Sequence, residues 1–153
     1  MEALPQVHWR RSARVQAQRC AVTLAVLTAL ITLRVLAQAI QAMQPTTLLP
    51  PFSAFEGSLV PYAILLPLQV VVVILLSQVT LAVASGQVLP QPEYGTRLLV
   101  GGGLYAAICV LRIVIGLAWP EAPAWCRAWI PAATHLLLAS YLLVLAGYHL
   151  RKA

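Results

Sequence analysis

The stretch "CAVTLAVLTALITLRVLAQAI", residues 20–40, is long and apolar enough to cross a lipid bilayer, although Arg34 lies inside it. A helix that spans a bilayer needs about 20 predominantly apolar residues. Three further segments meet that requirement, so the sequence predicts four spans, at about residues 20–43, 59–84, 98–119 and 129–149. Because lipid offers no hydrogen-bond partners to a peptide backbone, we expect each span to be an α-helix.

The composition agrees with a membrane environment. The chain of 153 residues is 61% hydrophobic and only 9% charged, whereas soluble domains carry about 25% charged residues. We therefore expect one all-α domain, an integral membrane four-helix bundle of up-down-up-down topology, between a basic segment at residues 1–19 and a tail at residues 150–153. The net charge of +6 does not indicate nucleic-acid binding, because the basic residues flank apolar runs.

The basic residues also predict a direction of insertion, since cytoplasmic loops are enriched in Arg and Lys. Nine of the ten basic residues are Arg, a bias typical of GC-rich bacterial genomes. The sequence thus predicts a multipass protein of a bacterial inner membrane with both termini in the cytoplasm. In that orientation only Arg127 lies outside, and seven basic residues lie inside: Arg10, Arg11, Arg14, Arg19, Arg97, Arg151 and Lys152.

The first span has a second interpretation. The basic run "RRSARVQAQR", the following apolar residues and the sequence "LAQA" resemble a secretory signal peptide that would be cleaved after Ala39. The apolar run is long for a signal peptide, which favours a permanent span.

Two arginines interrupt the first and third spans at equivalent places. Arg34 follows Arg19 by fifteen residues, Arg112 follows Arg97 by fifteen, and a leucine precedes each of them. At 1.5 Å per residue, both would lie about 22 Å beyond the cytoplasmic end of their helix. The match also leaves open a tandem repeat of two helical hairpins.

The surroundings of the two arginines indicate a candidate binding site. Gln38 and Gln41 share the helix face of Arg34, Tyr105 shares that of Arg112, and no span contains a carboxylate. A cationic site within the membrane could take an anionic lipid, a quinone or a partner helix, unless both side chains simply reach toward the lipid headgroups. Glu56, in a "SAFE" sequence typical of a helix start, is a further candidate partner.

We therefore expect a non-enzymatic binding or accessory subunit, with membrane lipids, a partner membrane subunit or a second copy as partners. One alternative is a small transporter or channel subunit with a path along Pro67, Gln69 and Gln78 of the second span. Another is the anchor of a redox complex that uses His135, with His149 as a lesser haem candidate and quinone or haem as a shared cofactor. The sequence predicts no cofactor for the chain alone and no metal site, and it lacks HExxH and Walker motifs, so it gives little support for an enzyme.

Overall fold

The computed structural model describes residues 5–55 and 60–151, and it describes the side chains of the first helix from Arg14 onward. In this part of the chain every regular element is a helix, so the all-α prediction is confirmed. The elements are α1 (Pro5–Met43), α2 (Phe52–Phe55), α3 (Tyr62–Ala84), α4 (Pro92–Ala118), α5 (Ala124–Arg127) and α6 (Trp129–Leu150). Among the described residues, four helices are long and apolar enough to cross a membrane: α3, α4, α6 and the Arg14–Met43 part of α1.

Two of the long helices begin earlier than the apolar pattern predicts. The 39 residues of α1 extend for about 58 Å, roughly twice the thickness of a hydrocarbon core, so its basic N-terminal part continues the helix beyond the apolar region. Pro92 begins α4, because the fixed φ of proline suits the first turn of a helix, where its missing N–H has no partner to lose. At the other end of the same connection, Gly86 ends α3 with a φ of 74°.

The long helices pack side by side in the order α3, α1, α6, α4. The central helices are α1, which packs against α3 and α6, and α6, which packs against α1 and α4. Within the described residues, α3 and α4 do not pack along each other. Thr28 of α1 lies against Thr80 of α3, and Gly102 of α4 lies against Leu142 of α6.

A buried cluster of hydroxyl groups joins three of these helices. Tyr141 of α6 is 1% exposed, and its hydroxyl donates to the carbonyl oxygen of Leu76 on α3 at 2.9 Å. The Thr80 hydroxyl lies 3.0 Å from the same tyrosine oxygen and 3.5 Å from the hydroxyl of Thr28 on α1. Because these polar atoms find partners among themselves and on the backbone, the cluster is satisfied without water.

The end of α6 holds the connection between α3 and α4. The Tyr148 hydroxyl donates to the carbonyl of Val88 at 2.7 Å, and the backbone N–H of Gln91 donates to Nδ1 of His149 at 3.1 Å. His149 is buried and partners the residue that precedes the first turn of α4. Nδ1 of His149, a candidate haem ligand, is therefore already used in a hydrogen bond that holds the chain before α4.

Candidate functional site

A cavity of about 190 Å³ lies between α1, α3 and α6. Each helix contributes residues at the spacing of one helix face, and Phe55 of α2 completes the wall. Eight of the twelve lining residues are apolar, so the four polar groups, Arg34, Gln69, Thr134 and His135, decide what the cavity can bind. The apolar ones are Ile31, Val35, Phe55, Leu65, Leu68, Val72, Pro131 and Leu138.

The neighbouring elements define where the cavity is closed. Phe55 covers it at the end where α2 lies, and the hydrogen bond between Tyr141 and Leu76 crosses from α6 to α3 just beyond its other end. The backbones of α3 and α6 do not pack along each other in the described residues. Leu68, which is 56% exposed, and His135 both line the cavity and reach the surface of the helices. The cavity thus opens sideways between α3 and α6, toward lipid in a membrane.

Arg34 is the charged group of this cavity. Its Nη1 donates to Oε1 of Gln38 at 2.5 Å, and its Nη2 donates to the carbonyl of Phe55 at 3.3 Å. The guanidinium carbon also lies 5.8 Å from the centre of the Phe55 ring, at the distance of a cation–π contact. Its Nε atom is buried and has no hydrogen-bond partner among the described residues. The guanidinium is thus held between helices by Nη1 and Nη2, while Nε has no partner in the described part of the chain.

Two glutamines extend the polar side of the site. Gln38 is 1% exposed, and its Oε1 accepts from Arg34 and, at 3.5 Å, from Nε2 of Gln69. The other end of the Gln69 amide, Oε1, is buried without a donor in the described part of the structure. Buried polar atoms usually have a partner. In the described part of the chain, those without one include Nε of Arg34, Oε1 of Gln69 and the hydroxyl of Tyr62.

His135 faces the cavity from α6 and is fixed from α4. Its Nδ1 lies 2.5 Å from the Tyr105 hydroxyl, and the two rings meet edge to face with their centres 6.0 Å apart. Thr134 beside it hydrogen-bonds the carbonyl of Ile130 in its own helix. Tyr105, predicted as a ligand-binding residue, does not itself line the cavity. It positions His135, which does.

Arg112 does not line the cavity; its guanidinium donates from Nε, at 2.7 Å, and from Nη2 to the carbonyl of Trp125 on α5. It nevertheless lies close enough to His135, which lines the cavity, for its charge to act on that side chain together with the charge of Arg34. That both arginines form one cationic site therefore stays a prediction.

The remaining predicted residues have separate positions. Gln41 donates to the carbonyl of Thr46 and accepts from its N–H, which closes the turn after α1. Pro67 and Gln78 are exposed on α3, so of the three residues predicted to line a path only Gln69 lines this cavity. Glu56 lies outside the described residues.

Sequence periodicity did not identify His135 and Thr134 as neighbours of Arg34, because the pairing of α1 with α6 is not encoded in either helix alone.

Among the described residues, no group of three His, Cys, Asp or Glu side chains is placed to hold a metal ion. What the cavity offers is a donor set on apolar walls, suited to the head of a lipophilic molecule. Comparisons with protein-family models, curated proteins and solved structures found no match.

Proposed function

We propose that this protein is a small multipass inner-membrane subunit that binds the polar head of a lipophilic molecule in the cavity beside Arg34. In this proposal, α1, α3, α4 and α6 cross the membrane in alternating directions and both termini are cytoplasmic. Arg34 then lies about 22 Å beyond the cytoplasmic end of its span, so the cavity belongs to the outer half of the membrane. The role is binding or accessory, without a reaction of its own.

One observation carries the proposal: Arg34 lines a cavity with largely apolar walls, and its buried Nε–H has no partner among the described residues. A guanidinium within a membrane is costly unless it is hydrated or paired. An oxygen atom of a bound head group would provide the missing acceptor, and the apolar walls would contact the body of the molecule. Two of its other nitrogens are already fixed by Gln38 and Phe55, so the donor is preorganised.

The contacts of Arg34 also argue against a side chain that merely reaches the headgroup region. A snorkelling arginine keeps its charged end in the interfacial water. The Arg34 guanidinium is instead half-buried between α1 and α2, bound to a neighbouring glutamine and to a main-chain carbonyl. The Arg34 side chain therefore lies between the helices and does not reach for the headgroup region, which supports a role in binding within the protein.

The test compares the removal of each intramembrane arginine. The native protein, Arg34→Leu and Arg112→Leu are each purified from their own membranes, and the lipophilic molecules that remain bound are identified by native mass spectrometry. We expect one class of molecule to remain with the native protein and with the folded fraction of Arg112→Leu, and to be lost from Arg34→Leu. The same molecules in equal amount on all three proteins would contradict the proposal.

A further inference from the structure

We infer that Arg19, Arg97 and Arg151, at one end of the long helices, bind the phosphate groups of anionic phospholipids. We name these three residues the basic end. None of them lines the cavity beside Arg34, so the inference goes beyond the proposed function and does not rest on it. It follows from the convergence of three helices, from the place of each arginine along its helix and from the count of charges.

The first step is that α1, α4 and α6 meet at this end. A methyl group at Gly95, two residues before Arg97, would lie 2.7 Å from the side chain of Leu150, the last residue of α6. Arg151 follows directly, and its charge acts on the thiol of Cys20. Cys20 is the residue after the arginine of α1. Residues far apart in sequence are thus brought to one end of the molecule.

The second step concerns the level of the arginines in a membrane. Arg19 and Arg97 directly precede the apolar runs of α1 and α4, and Arg151 directly follows that of α6. Each therefore lies where an apolar segment meets the headgroup layer, which is the level of the lipid phosphates. All three side chains are exposed. A guanidinium at that level can donate two parallel hydrogen bonds to one phosphate.

The third step concerns charge. The sequence places seven basic residues at this end, counting those of the N-terminal segment and of the tail, and only two acidic ones, Glu2 and Glu93. Two carboxylates cannot compensate seven cations, however the side chains point. A zwitterionic head group brings a cation of its own, whereas an anionic one brings only the missing negative charge. The excess therefore favours anionic phospholipids.

An aromatic residue links two parts of the basic end. The guanidinium carbon of Arg97 lies 5.8 Å from the centre of the Tyr94 ring, and that ring lies 6.3 Å from the ring of His149 in α6. Tyr94 is 54% exposed, as is typical of tyrosines in the headgroup layer. It therefore connects Arg97 to the end of α6, where Arg151 follows two residues later.

The experiment measures the lipid preference of the full chain. The protein is placed in phosphatidylcholine bilayers with a trace of spin-labelled phosphatidylglycerol or of spin-labelled phosphatidylcholine with the same acyl chains, and electron paramagnetic resonance gives their relative association constants. Averaged over all lipid contacts, we expect a preference for phosphatidylglycerol of about twofold or more. High salt should reduce it, because the screening length falls from about 10 Å at 0.1 M to about 3 Å at 1 M. An equal association of both lipids with the native protein would overturn the inference.

Arginines at the two ends of α4 provide a matched set of variants. A triple variant, Arg19→Gln, Arg97→Gln and Arg151→Gln, should lose the preference. Arg127→Gln, in α5 beyond the other end of α4, removes an exposed arginine as well and should keep it. Because only exposed charges are removed, both proteins are expected to fold, and their thermal unfolding midpoints check that. An undiminished preference in the folded triple variant would contradict the role of the basic end.

The inference and the proposed function fail separately. Arg34→Leu removes the charge of the cavity and should leave the preference for phosphatidylglycerol unchanged, while the triple variant should still retain the molecule bound in the cavity. A preference that Arg34→Leu abolishes and the triple variant retains would mean that the cavity binds the anionic lipid. The proposed function would then stand and this inference would fall.

Discussion

The Arg112 guanidinium donates to the main-chain carbonyl of Trp125 and lies over the indole ring of the same residue, 5.3 Å from its centre. Trp125 belongs to α5, the four-residue helix between α4 and α6. An arginine from the third apolar span thus binds the short helix that follows it. This contact gives the partly buried charge both a hydrogen-bond acceptor and an aromatic face, which offsets part of its desolvation cost.

Arg34 repeats the arrangement in the first half of the chain. It donates to the carbonyl of Phe55 and lies over the Phe55 ring, and Phe55 belongs to α2, the four-residue helix that precedes α3. Each arginine therefore binds the short helix that follows its own long helix. Arg34 also lines the cavity described above, and its Nε–H has no partner among the described residues, whereas Arg112 does not line that cavity and donates its Nε–H to the Trp125 carbonyl.

The first prediction is that Arg112→Leu destabilises the protein without affecting the cavity. The variant loses charge-assisted hydrogen bonds and a cation–π contact and leaves the Trp125 carbonyl without this donor, so we expect a loss of about 2 kcal/mol in the free energy of unfolding. Reversible unfolding in mixed detergent micelles measures it. Arg127→Leu, which removes an exposed charge from the same short helix, is the control and should change stability by less than about 0.5 kcal/mol.

The second prediction concerns two glycines of α4. A methyl group at Gly116 would lie 2.8 Å from the carbonyl carbon of Cys126, in the main chain of α5, whereas one at Gly103 would meet nothing within 4 Å. Because a main-chain group cannot rotate away, Gly116→Ala should displace α5 and cost about 1–3 kcal/mol. Gly103→Ala should leave the unfolding free energy unchanged or slightly higher. Equal stability of the two variants would show that α5 does not approach α4 as closely as the structure places it.

The sequence predicts the four long helices well, because a span requires only a long apolar run, and each run is visible by itself. Its errors lie at the polar ends. The apolar pattern has no signal for the extension of α1 to Pro5, or for four-residue helices inside proline-rich connections. The "SAFE" sequence, typical of a helix start, begins with Ser53, which lies inside α2 instead. These boundaries depend on contacts with other parts of the chain.

The site is predictable only in part, for a related reason. Helical periodicity places Gln38 on the face of Arg34, and the two side chains do hydrogen-bond. It cannot tell which other helix meets that face. The cavity exists because α6, the last helix, packs against the first, which brings His135 to Arg34, and because Gln69 of α3 approaches Gln38 from the other side. Arg112 lies in a similar apolar sequence, but its guanidinium meets Trp125 of α5.

The third prediction tests the hydroxyl cluster of Tyr141, Thr80 and Thr28, just beyond the end of the cavity that lies away from α2. Tyr141→Phe removes the hydrogen bonds to Leu76 and Thr80 while it keeps the packed ring. Interhelical hydrogen bonds of this kind contribute about 0.6 kcal/mol each in membranes, so we expect a loss of about 1 kcal/mol in the unfolding free energy. Tyr94→Phe, at an exposed tyrosine of α4, is the matched control and should change nothing. A stability of Tyr141→Phe equal to that of the native protein would mean that the cluster does not join the helices.

The fourth prediction tests the sideways opening between α3 and α6. Leu68 lines the cavity and is 56% exposed, whereas Leu75, one heptad further along α3, is 54% exposed and does not line it. A tryptophan at position 68 would narrow the opening without removing Arg34 or Gln69. For the lipophilic molecule that co-purifies with the native protein, Leu68→Trp should therefore slow association several-fold, while Leu75→Trp should leave the rate unchanged. Both substitutions fall on the lipid-exposed side of α3, so we expect native thermal stability in each. Stopped-flow measurement in nanodiscs gives the rates, and equal association for the two variants would mean that the ligand enters by another route.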